Sequence, residues 1–367
     1  MASEENNRDA FLIQRFYCEK MDAPIYARIC VALAEGLTRD SRVGARVLDW
    51  PGEPTRDAVP LRLIGGLHAL VLAGADEELA AVFSGAVAGP DAVKATLQRV
   101  LSRHDEALLP WLDGPPQTNE PGRSAGLMVG LIEIARRHGP KLEILEIGSS
   151  AGLNLLIDRY RIDLGGTVVG PPDAPVTIRP AWSGPAPVPV PVEIVSTRGC
   201  DVHPMDATDP AVERRLSAYV WAETPERAVR LRAAIGMMRD KGVRLNEGDA
   251  ADWVEARLAE PQAAGVTRVL MHSVVWQYLP EPVAARVTAA MHAAGARASA
   301  ERPLGWVTME PDRARGHQMI RARSWPDLPD WTDLATAHAH AAWVDAGGPS
   351  VGGAVANLPE GARVEIA

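Results

Sequence analysis

The residues best suited to chemistry in this chain surround a run of small residues, Gly148-Ser149-Ser150-Ala151-Gly152. Small residues let a backbone approach a ligand closely, and free N–H groups at the start of a following helix face polar or anionic atoms. Glu146 stands just before the first glycine, and an acidic side chain there suits a positively charged or amine-bearing ligand better than a pyrophosphate. The segment therefore predicts a ligand-binding loop.

A polar cluster precedes this loop by one predicted helix. Asn119, Glu120 and Arg123 lie at the start of a helix expected over residues 123–138. One interpretation is ordinary capping by Asn119 or Ser124. The other is that the cluster faces a ligand and that Arg123 pairs with a ligand carboxylate.

Two aspartates follow later predicted strands. Asp201 falls at the carboxyl end of the strand in residues 192–204, where an acidic residue commonly holds ribose hydroxyls. A turn or helix cap is its alternative role. Asp249, between Gly248 and Ala250, comes between the next strand and a helix, so it is either an N-cap, a ligand contact or both.

The fourth and fifth predicted strands also end in polar side chains. His272 and Ser273 close the fourth strand, Trp276 and Tyr278 follow it, and Glu310 closes the fifth. Because ligands bind outside the carboxyl ends of the strands in open α/β sheets, we expect these side chains to face a substrate. The two aromatic residues favour an apolar or planar molecule, although a tryptophan-rich core would explain them equally well.

The elements that would position these groups form two regions. Residues 1–115 show apolar residues at three- and four-residue spacing, broken by proline and glycine, which predicts an all-helical domain or cap. Over residues 116–367, five strands alternate with helices and an antiparallel hairpin follows, which predicts an α/β domain with a mostly parallel, Rossmann-like sheet. The proline-rich stretch at about residues 165–191 predicts an extended excursion or hairpin over one sheet edge.

Two finer expectations concern local structure. Residues 153–160, directly after the glycine loop, read as a helix. His338 and His340 are two residues apart in a predicted strand of the hairpin, so they should share one face of it. No third metal ligand accompanies them, and the lone Cys-x-x-His of Cys200 and His203 is poor evidence for a metal site, so none is expected.

Composition narrows the class of protein. The chain has 367 residues, a net charge of −9 and three widely spaced cysteines. The acidic balance argues against a nucleic-acid partner, and the cysteines predict neither a disulfide framework nor a thiolate zinc site. The longest apolar run, residues 63–75, is too short to span a bilayer, and the N-terminus lacks the features of a secretory signal. We expect a soluble, cytoplasmic protein that does not bind membranes; the sequence leaves its oligomeric state open.

The glycine loop resembles motif I of the class I S-adenosylmethionine (SAM) methyltransferases, with Ser150 where many members have glycine. The whole chain also resembles an uncharacterised bacterial family of methyltransferase-like proteins with a helical N-terminal region. The segments that carry this second resemblance are QTNEPGRSA, LEIGSSAGLNLLIDRY, GCDVHPMDATDP, AYVW, GDAADW and HSVVWQYLP.

The resemblance implies SAM as cofactor and a methyl transfer to an acceptor that the family does not identify. The absence of an Asp/Asn-Pro-Pro-Tyr signature after the fourth strand, together with the acidic balance, favours a small-molecule acceptor. The candidate general bases are His272 first, then Glu310 and Glu120. Ser273, Trp276 and Tyr278 are the candidate substrate contacts. The implied cofactor-binding residues are Glu146, Gly148, Ser150, Gly152, Asn154, Asp201, Asp249 and Ala250, with Asn119 and Arg123.

Three alternatives remain open. The loop also fits the Gly-x-Ser-x-Gly elbow of α/β-hydrolases, with Ser150 as nucleophile, Asp249 as acid and His317 or His338 as base. Against this, the elbow follows several earlier strands in hydrolases, whereas everything upstream here reads as helical. A dinucleotide-binding dehydrogenase fits less well, because the third glycine of Gly-x-Gly-x-x-Gly is absent. A non-catalytic SAM-binding or scaffold protein is the third alternative.

Overall fold

The computed structural model describes residues 3–312 and 314–347 of the chain. The described residues group into two compact units, one of residues 3–118 with 210–228 and one of residues 119–209 with 229–347. The helices, in chain order, are α1 Glu4–Lys20, α2 Pro24–Gly36, α3 Arg42–Leu48, α4 Val59–Leu72, α5 Glu77–Phe83, α6 Pro90–Arg103, α7 Asp105–Leu108, α8 Ser124–His138, α9 Pro210–Ala218, α10 Pro225–Lys241, α11 Ala250–Ala259 and α12 Glu281–Gly295.

The first unit is helical, as the sequence predicts. Side-chain oxygens of Ser3, Ser41 and Asp76 cap the N-termini of α1, α3 and α5, and the apolar faces of the helices share one core. No single described helix is long and apolar enough to cross a bilayer; α4 and α5 meet the criteria of length and composition only as a pair bent by 117°.

A later segment of the chain, residues 210–228, completes this helical unit. The Trp221 ring stacks on Tyr26, with 5.1 Å between ring centroids. Glu223 accepts a hydrogen bond from the backbone N–H of Ile25 in the first turn of α2, where the N-cap residue, Ala23, has no side-chain acceptor. The segment thus contributes both an apolar contact and a helix cap to the first unit.

The second unit is built on a nine-stranded sheet with a separate three-stranded sheet. The strands are β1 Lys141–Ile147, β2 Arg161–Leu164, β3 Thr167–Val169, β4 Thr177–Ile178, β5 Ala181–Ser183, β6 Glu193–Asp201, β7 Leu245–Glu247, β8 Thr267–Ser273, β9 Leu304–Asp312, β10 His317–Trp325, β11 Leu328–Ala337 and β12 Trp343–Asp345. The large sheet runs β5-β12-β11-β10-β9-β8-β1-β6-β7, and the small one β3-β2-β4.

The centre of the large sheet is parallel. Strands β1, β6, β7, β8 and β9 pair in parallel and, counted in chain order, lie 3-2-1-4-5. Beyond β9, the strands β10 and β11 are antiparallel, as expected for the C-terminal hairpin. The α/β class with a largely parallel, mixed sheet and an N-terminal helical region is therefore confirmed.

Both faces of the sheet are covered. Val307 and Met309 of β9 pack against α8 at Gly130 and Gly126. The opposite face of the sheet shares a core with buried residues of α11 and α12, to which it contributes Leu145, Ile147, Leu270 and Trp306. Because side chains alternate along a strand, Glu146 faces the α8 side and His272 the α11–α12 side.

The prediction of a helix directly after the glycine loop is wrong. Residues 153–156 form one 3-10 turn, and β2 begins at Arg161. The Tyr160 hydroxyl donates a hydrogen bond of 2.6 Å to the Leu153 carbonyl, which occupies the acceptor that a continuing α-helix would use.

The prediction that one strand contains both His338 and His340 is also wrong. Strand β11 ends at Ala337, and residues 338–341 form a turn in which the Ala341 N–H donates to the His338 carbonyl over 2.8 Å. The turn leads directly into β12. The proline-rich stretch is extended, as predicted, and its strand β5 pairs with β12 at the sheet edge.

Candidate functional site

The strand order of the parallel sheet reverses between β1 and β8. From β1 the chain moves first to β6 and β7 on one side, then returns to β8 on the other. In open α/β sheets such a reversal leaves a crevice outside the carboxyl ends of the two strands, where ligands bind. The loops that follow β1 and β8 are therefore the place to look for a site.

The glycine loop has an unusual backbone. Gly148, Ser150 and Gly152 have φ values of 66°, 53° and 75°, so three of five residues are left-handed. Glycine adopts this region freely, but for serine it is strained by about 1–2 kcal/mol. A hydrogen bond of 2.8 Å from the Ser150 N–H to Asp201 Oδ2 holds the strained residue. The Ser150 Oγ atom is buried and accepts or donates no hydrogen bond to any described residue.

Glu146 lies beneath this loop and is 1% exposed. Its Oε2 atom is buried without a hydrogen-bond partner in the described part of the chain. Burial raises the pKa of Glu146 to about 8, and the nearby Ser149 and Asn154 side chains offset part of that effect. At neutral pH the carboxyl group is therefore largely protonated, and one of its oxygens has no partner among the described residues.

The two aspartates organise backbone around the edge of the sheet. Asp201 accepts from the N–H groups of Ser150 and His203, over 2.8 and 2.9 Å, so it joins the loops after β1 and β6. Asp249 is the N-cap of α11, where its Oδ1 accepts from the Ala251 N–H over 2.8 Å. Both carboxylates are partly exposed and keep further lone pairs for a ligand.

The cluster ahead of α8 contacts the glycine loop directly. Asn119 Oδ1 accepts from the Leu153 N–H over 2.6 Å, at the start of the 3-10 turn. Ser124 donates to Asn154 Oδ1 over 2.9 Å. Asn119 thus caps a helical turn, although in the loop rather than in α8, and the ligand-facing role of the cluster stays a prediction.

The charged members of that cluster are buried and paired. Glu120 is 3% exposed and forms an ion pair with Arg230 at 3.1 Å. The Arg123 Nε donates to the Ala339 carbonyl over 3.0 Å, in the turn after β11. Glu120 is therefore an anchor for local structure, which argues against its predicted role as a general base.

His272 and Glu310, the other two candidate bases, belong to one hydrogen-bond network. His272 Nδ1 lies 2.7 Å from Glu310 Oε1, and the Trp306 Nε1–H donates to His272 Nε2 over 3.0 Å. The acceptor role of Nε2 assigns the ring proton to Nδ1, which donates to Glu310. With both ring nitrogens bonded and the side chain 1% exposed, His272 has no nitrogen available to a substrate in this arrangement.

Glu310 uses its remaining lone pairs on the loop after β8. It accepts from the N–H groups of Val275 and Trp276, over 3.1 and 3.3 Å. Val274, just before them, has a φ of 53°, which is a genuine outlier for a β-branched residue. The network therefore holds a strained loop.

That loop closes on the glycine loop. A Cβ atom added to Gly148 would lie 2.3 Å from Val275 Cγ2, so the missing side chain of Gly148 makes room for Val275. Of the predicted substrate contacts, Ser273 is buried and Trp276 stacks on His272 with 5.0 Å between ring centroids. Tyr278 is 71% exposed and is the one of the three that projects from the edge.

Comparison with known proteins gives one match. The family described as an uncharacterised protein conserved in bacteria (DUF2332) matches residues 8–346. The chain belongs to this family. No curated protein and no solved structure matches it.

Sequence reasoning missed one part of the edge in this DUF2332 chain, the turn of residues 338–341. Ala341 has a φ of 52°, so it joins Ser150 and Val274 as a left-handed residue that is not glycine. All three follow strands that end at the same edge of the sheet, β1, β8 and β11. Serine, valine and alanine disfavour this conformation, so their sequence carries no signal for it. Across the described residues, no group of three or more His, Cys, Asp or Glu side chains is arranged to hold a metal ion.

Proposed function

We propose that this protein is a class I SAM-dependent methyltransferase that acts on a small molecule. One observation carries the proposal: acidic side chains lie at the glycine loop and at the carboxyl ends of the neighbouring strands, along the edge of the sheet where the strand order reverses. Glu146 is beneath the loop, Asp201 follows β6 and Asp249 follows β7. The order 3-2-1-4-5 of the parallel strands supports the same assignment.

The residues fit the chemical groups of the cofactor. Glu146 has a buried oxygen without a hydrogen-bond partner among the described residues, and a bound ammonium group there would favour its carboxylate form over the protonated acid. Asp201 offers lone pairs to a ribose diol. Asp249 would accept from an exocyclic amine, and Arg123 would complement a carboxylate. When bound, SAM supplies an electrophilic methyl group on a sulfonium. The chain's own part would be to hold the acceptor in line with that group and to exclude water.

The α/β-hydrolase alternative rests on the left-handed backbone of Ser150, which is the conformation of a nucleophile elbow. Two observations disfavour it. A 3-10 turn rather than a helix follows the loop, and no described histidine contacts the Ser150 Oγ atom. Covalent labelling of Ser150 by a fluorophosphonate would reverse the preference.

Calorimetric and thermal-shift titrations with SAM and S-adenosylhomocysteine (SAH), with NAD as a control ligand, test the proposal. A ligand at a hundred times its Kd adds about 2.7 kcal/mol to the free energy of unfolding. We expect saturable binding of SAM and SAH. A folded sample that binds neither would overturn the assignment, and a sample that binds SAM without transferring its methyl group to any acceptor would favour the non-catalytic alternative.

Two matched variants localise the binding. Asp201→Asn keeps an oxygen that accepts from the Ser150 N–H but loses the charge, so we expect SAM affinity to fall about tenfold or more. Asp206→Asn alters an exposed carboxylate of the same loop, which accepts hydrogen bonds from the N–H and hydroxyl groups of Thr208, and should leave affinity unchanged.

A further inference from the structure

Two polar atoms at the glycine loop, Glu146 Oε2 and Ser150 Oγ, are buried and have no hydrogen-bond partner among the described residues. Glu146 as a whole is 1% exposed and Ser150 is 8% exposed. Buried polar atoms without a partner are rare in folded proteins, because nothing replaces the water that they lose on burial. Two such atoms in one loop indicate that a ligand completes it.

The neighbours of the Glu146 carboxyl group include two neutral hydrogen-bonding side chains. Asn154 Oδ1 accepts from Ser124 over 2.9 Å, which leaves the Asn154 NH2 group to donate toward the carboxyl group. The Ser149 hydroxyl, which donates to the Glu146 backbone carbonyl over 3.0 Å, is a second polar neighbour. These groups solvate the carboxyl group in part, and Oε2 stays without a partner in the described part of the chain.

The charged and titratable groups that face Glu146 come from three elements. Burial raises the pKa of Glu146 most, Asp201 at the end of β6 raises it further, and Arg123 before α8 lowers it. Tyr160, just before β2, is fully buried, which raises the pKa of its own hydroxyl far above the usual range and keeps it neutral. The resulting pKa of Glu146 is about 8, so the free protein holds a proton there at neutral pH.

We propose that Glu146 releases its proton to solvent when the amine-bearing end of the ligand binds, so that binding of SAM or SAH is coupled to the ionisation of this one carboxyl group. The inference rests on the proposed methyltransferase function and adds to it a dependence of ligand affinity on pH. An ammonium group next to Oε2 gives the buried atom a partner and favours the carboxylate over the acid. The released proton passes to the buffer, and the ammonium group of the ligand keeps its own protons.

The direction of the pH dependence follows from the form that binds. Below about pH 8, Glu146 must lose a proton before it can pair with the ammonium group, so affinity weakens as pH falls. From pH 8 to pH 6.5, the Kd of SAH should rise about tenfold or more. Glutamine has no proton to lose, so the Kd of SAH for Glu146→Gln should change much less over this range. Any ionisation of the ligand itself affects both proteins alike.

Isothermal titration calorimetry with SAH at pH 7, in buffers that differ in their enthalpy of ionisation, counts the protons that binding releases. We expect roughly 0.9 of a proton from the natural protein, which is the fraction of Glu146 that is protonated at this pH. Glu146→Gln should lose this release. Asp206→Asn, which removes an exposed carboxylate after β6, is the matched control and should release as many protons as the natural protein.

A second ligand, 5′-methylthioadenosine, tests whether the ammonium group is the cause. It keeps the nucleoside and the sulfur of SAH but lacks the amino-acid end, so its binding should release no proton. The missing carboxylate cannot produce this result, since a bound anion would instead hold the proton on Glu146. This comparison uses the natural protein alone and does not depend on how any variant folds.

If SAH binds the natural protein and Glu146→Gln with the same proton release, the inference is wrong while the methyltransferase assignment stands. Equal release by the natural protein with SAH and with 5′-methylthioadenosine would also refute it, because the ammonium group would then play no part. If neither SAM nor SAH binds, the assignment fails and the inference falls with it.

Discussion

Replacing Glu146 by glutamine should change how the stability of the protein depends on pH. Burial raises the pKa of Glu146 to about 8 from an ordinary value of 4.5, which the carboxyl group regains in the unfolded chain. Between these values the folded protein keeps the proton that the unfolded chain releases, so the free energy of unfolding falls as pH rises. The stabilising contribution is complete below about pH 4.5 and is lost as pH rises through 8.

The size of this effect follows from the two pKa values. At 1.36 kcal/mol for each pKa unit, the difference corresponds to about 5 kcal/mol lost between pH 4.5 and pH 8. Glutamine has the shape of the protonated carboxyl and stays neutral at every pH. Glu146→Gln should therefore have nearly the stability of the natural protein at pH 5 and exceed it by several kcal/mol at pH 8.5.

Urea unfolding at a series of pH values, followed by tryptophan fluorescence, measures this difference. Seven of the ten tryptophans lie in the sheet unit, so the signal reports mainly on that unit. Glu193→Gln, at an exposed position on the neighbouring strand β6, is the control and should follow the natural protein at every pH. Curves for Glu146→Gln and the natural protein that run parallel would refute the account of Glu146 as a buried, protonated acid.

Three further outcomes are expected. Gly148→Ala should lower the free energy of unfolding by about 2–4 kcal/mol, because the added methyl group meets Val275 and the φ of 66° suits only glycine. In urea unfolding, the double variant with Val275→Ala should recover part of this loss. No recovery would contradict the packing argument. Glu310→Ala should accelerate amide hydrogen exchange at residues 275 and 276 at least about tenfold, whereas Glu310→Gln, which keeps an acceptor, should do so less; unchanged protection in both would show that Glu310 does not hold the loop. Ser150→Gly should raise the free energy of unfolding by up to about 1 kcal/mol through relief of backbone strain, and a lower value would mean that the Ser150 side chain makes a stabilising contact.

The parts of the fold that the sequence predicts are those determined by local pattern. The strands β1, β8 and β9 are largely apolar runs, and the helices of the first region show helical spacing with caps such as Asp76. Asp249 could be predicted as an N-cap because it directly precedes α11. In each case the stretch that carries the signal is the stretch that forms the element.

The features that escaped prediction depend on contacts that the local sequence pattern does not show. The helix expected after the glycine loop does not form, because the Tyr160 hydroxyl takes the Leu153 carbonyl that a continuing α-helix would use. From its position at the end of a strand, His272 is predicted to be a general base. In the structure, the Nε1–H of Trp306, 34 residues later, donates a hydrogen bond to His272 Nε2. The pattern of α9 predicts a helix but does not show which of the two units the helix belongs to. Contacts such as Trp221 with Tyr26, 195 positions apart, decide that.

The return of residues 210–228 to the first unit has a consequence for synthesis on the ribosome. Chains emerge from the N-terminus, and domains generally fold as they appear. Here α1–α7 emerge first, but the cap that Glu223 gives to α2 and the ring that covers Tyr26 arrive only after about a hundred further residues. The nascent helical region therefore stays incomplete while β1 to β6 are translated. During that time the surface around Tyr26 that Trp221 later covers is exposed to chaperones.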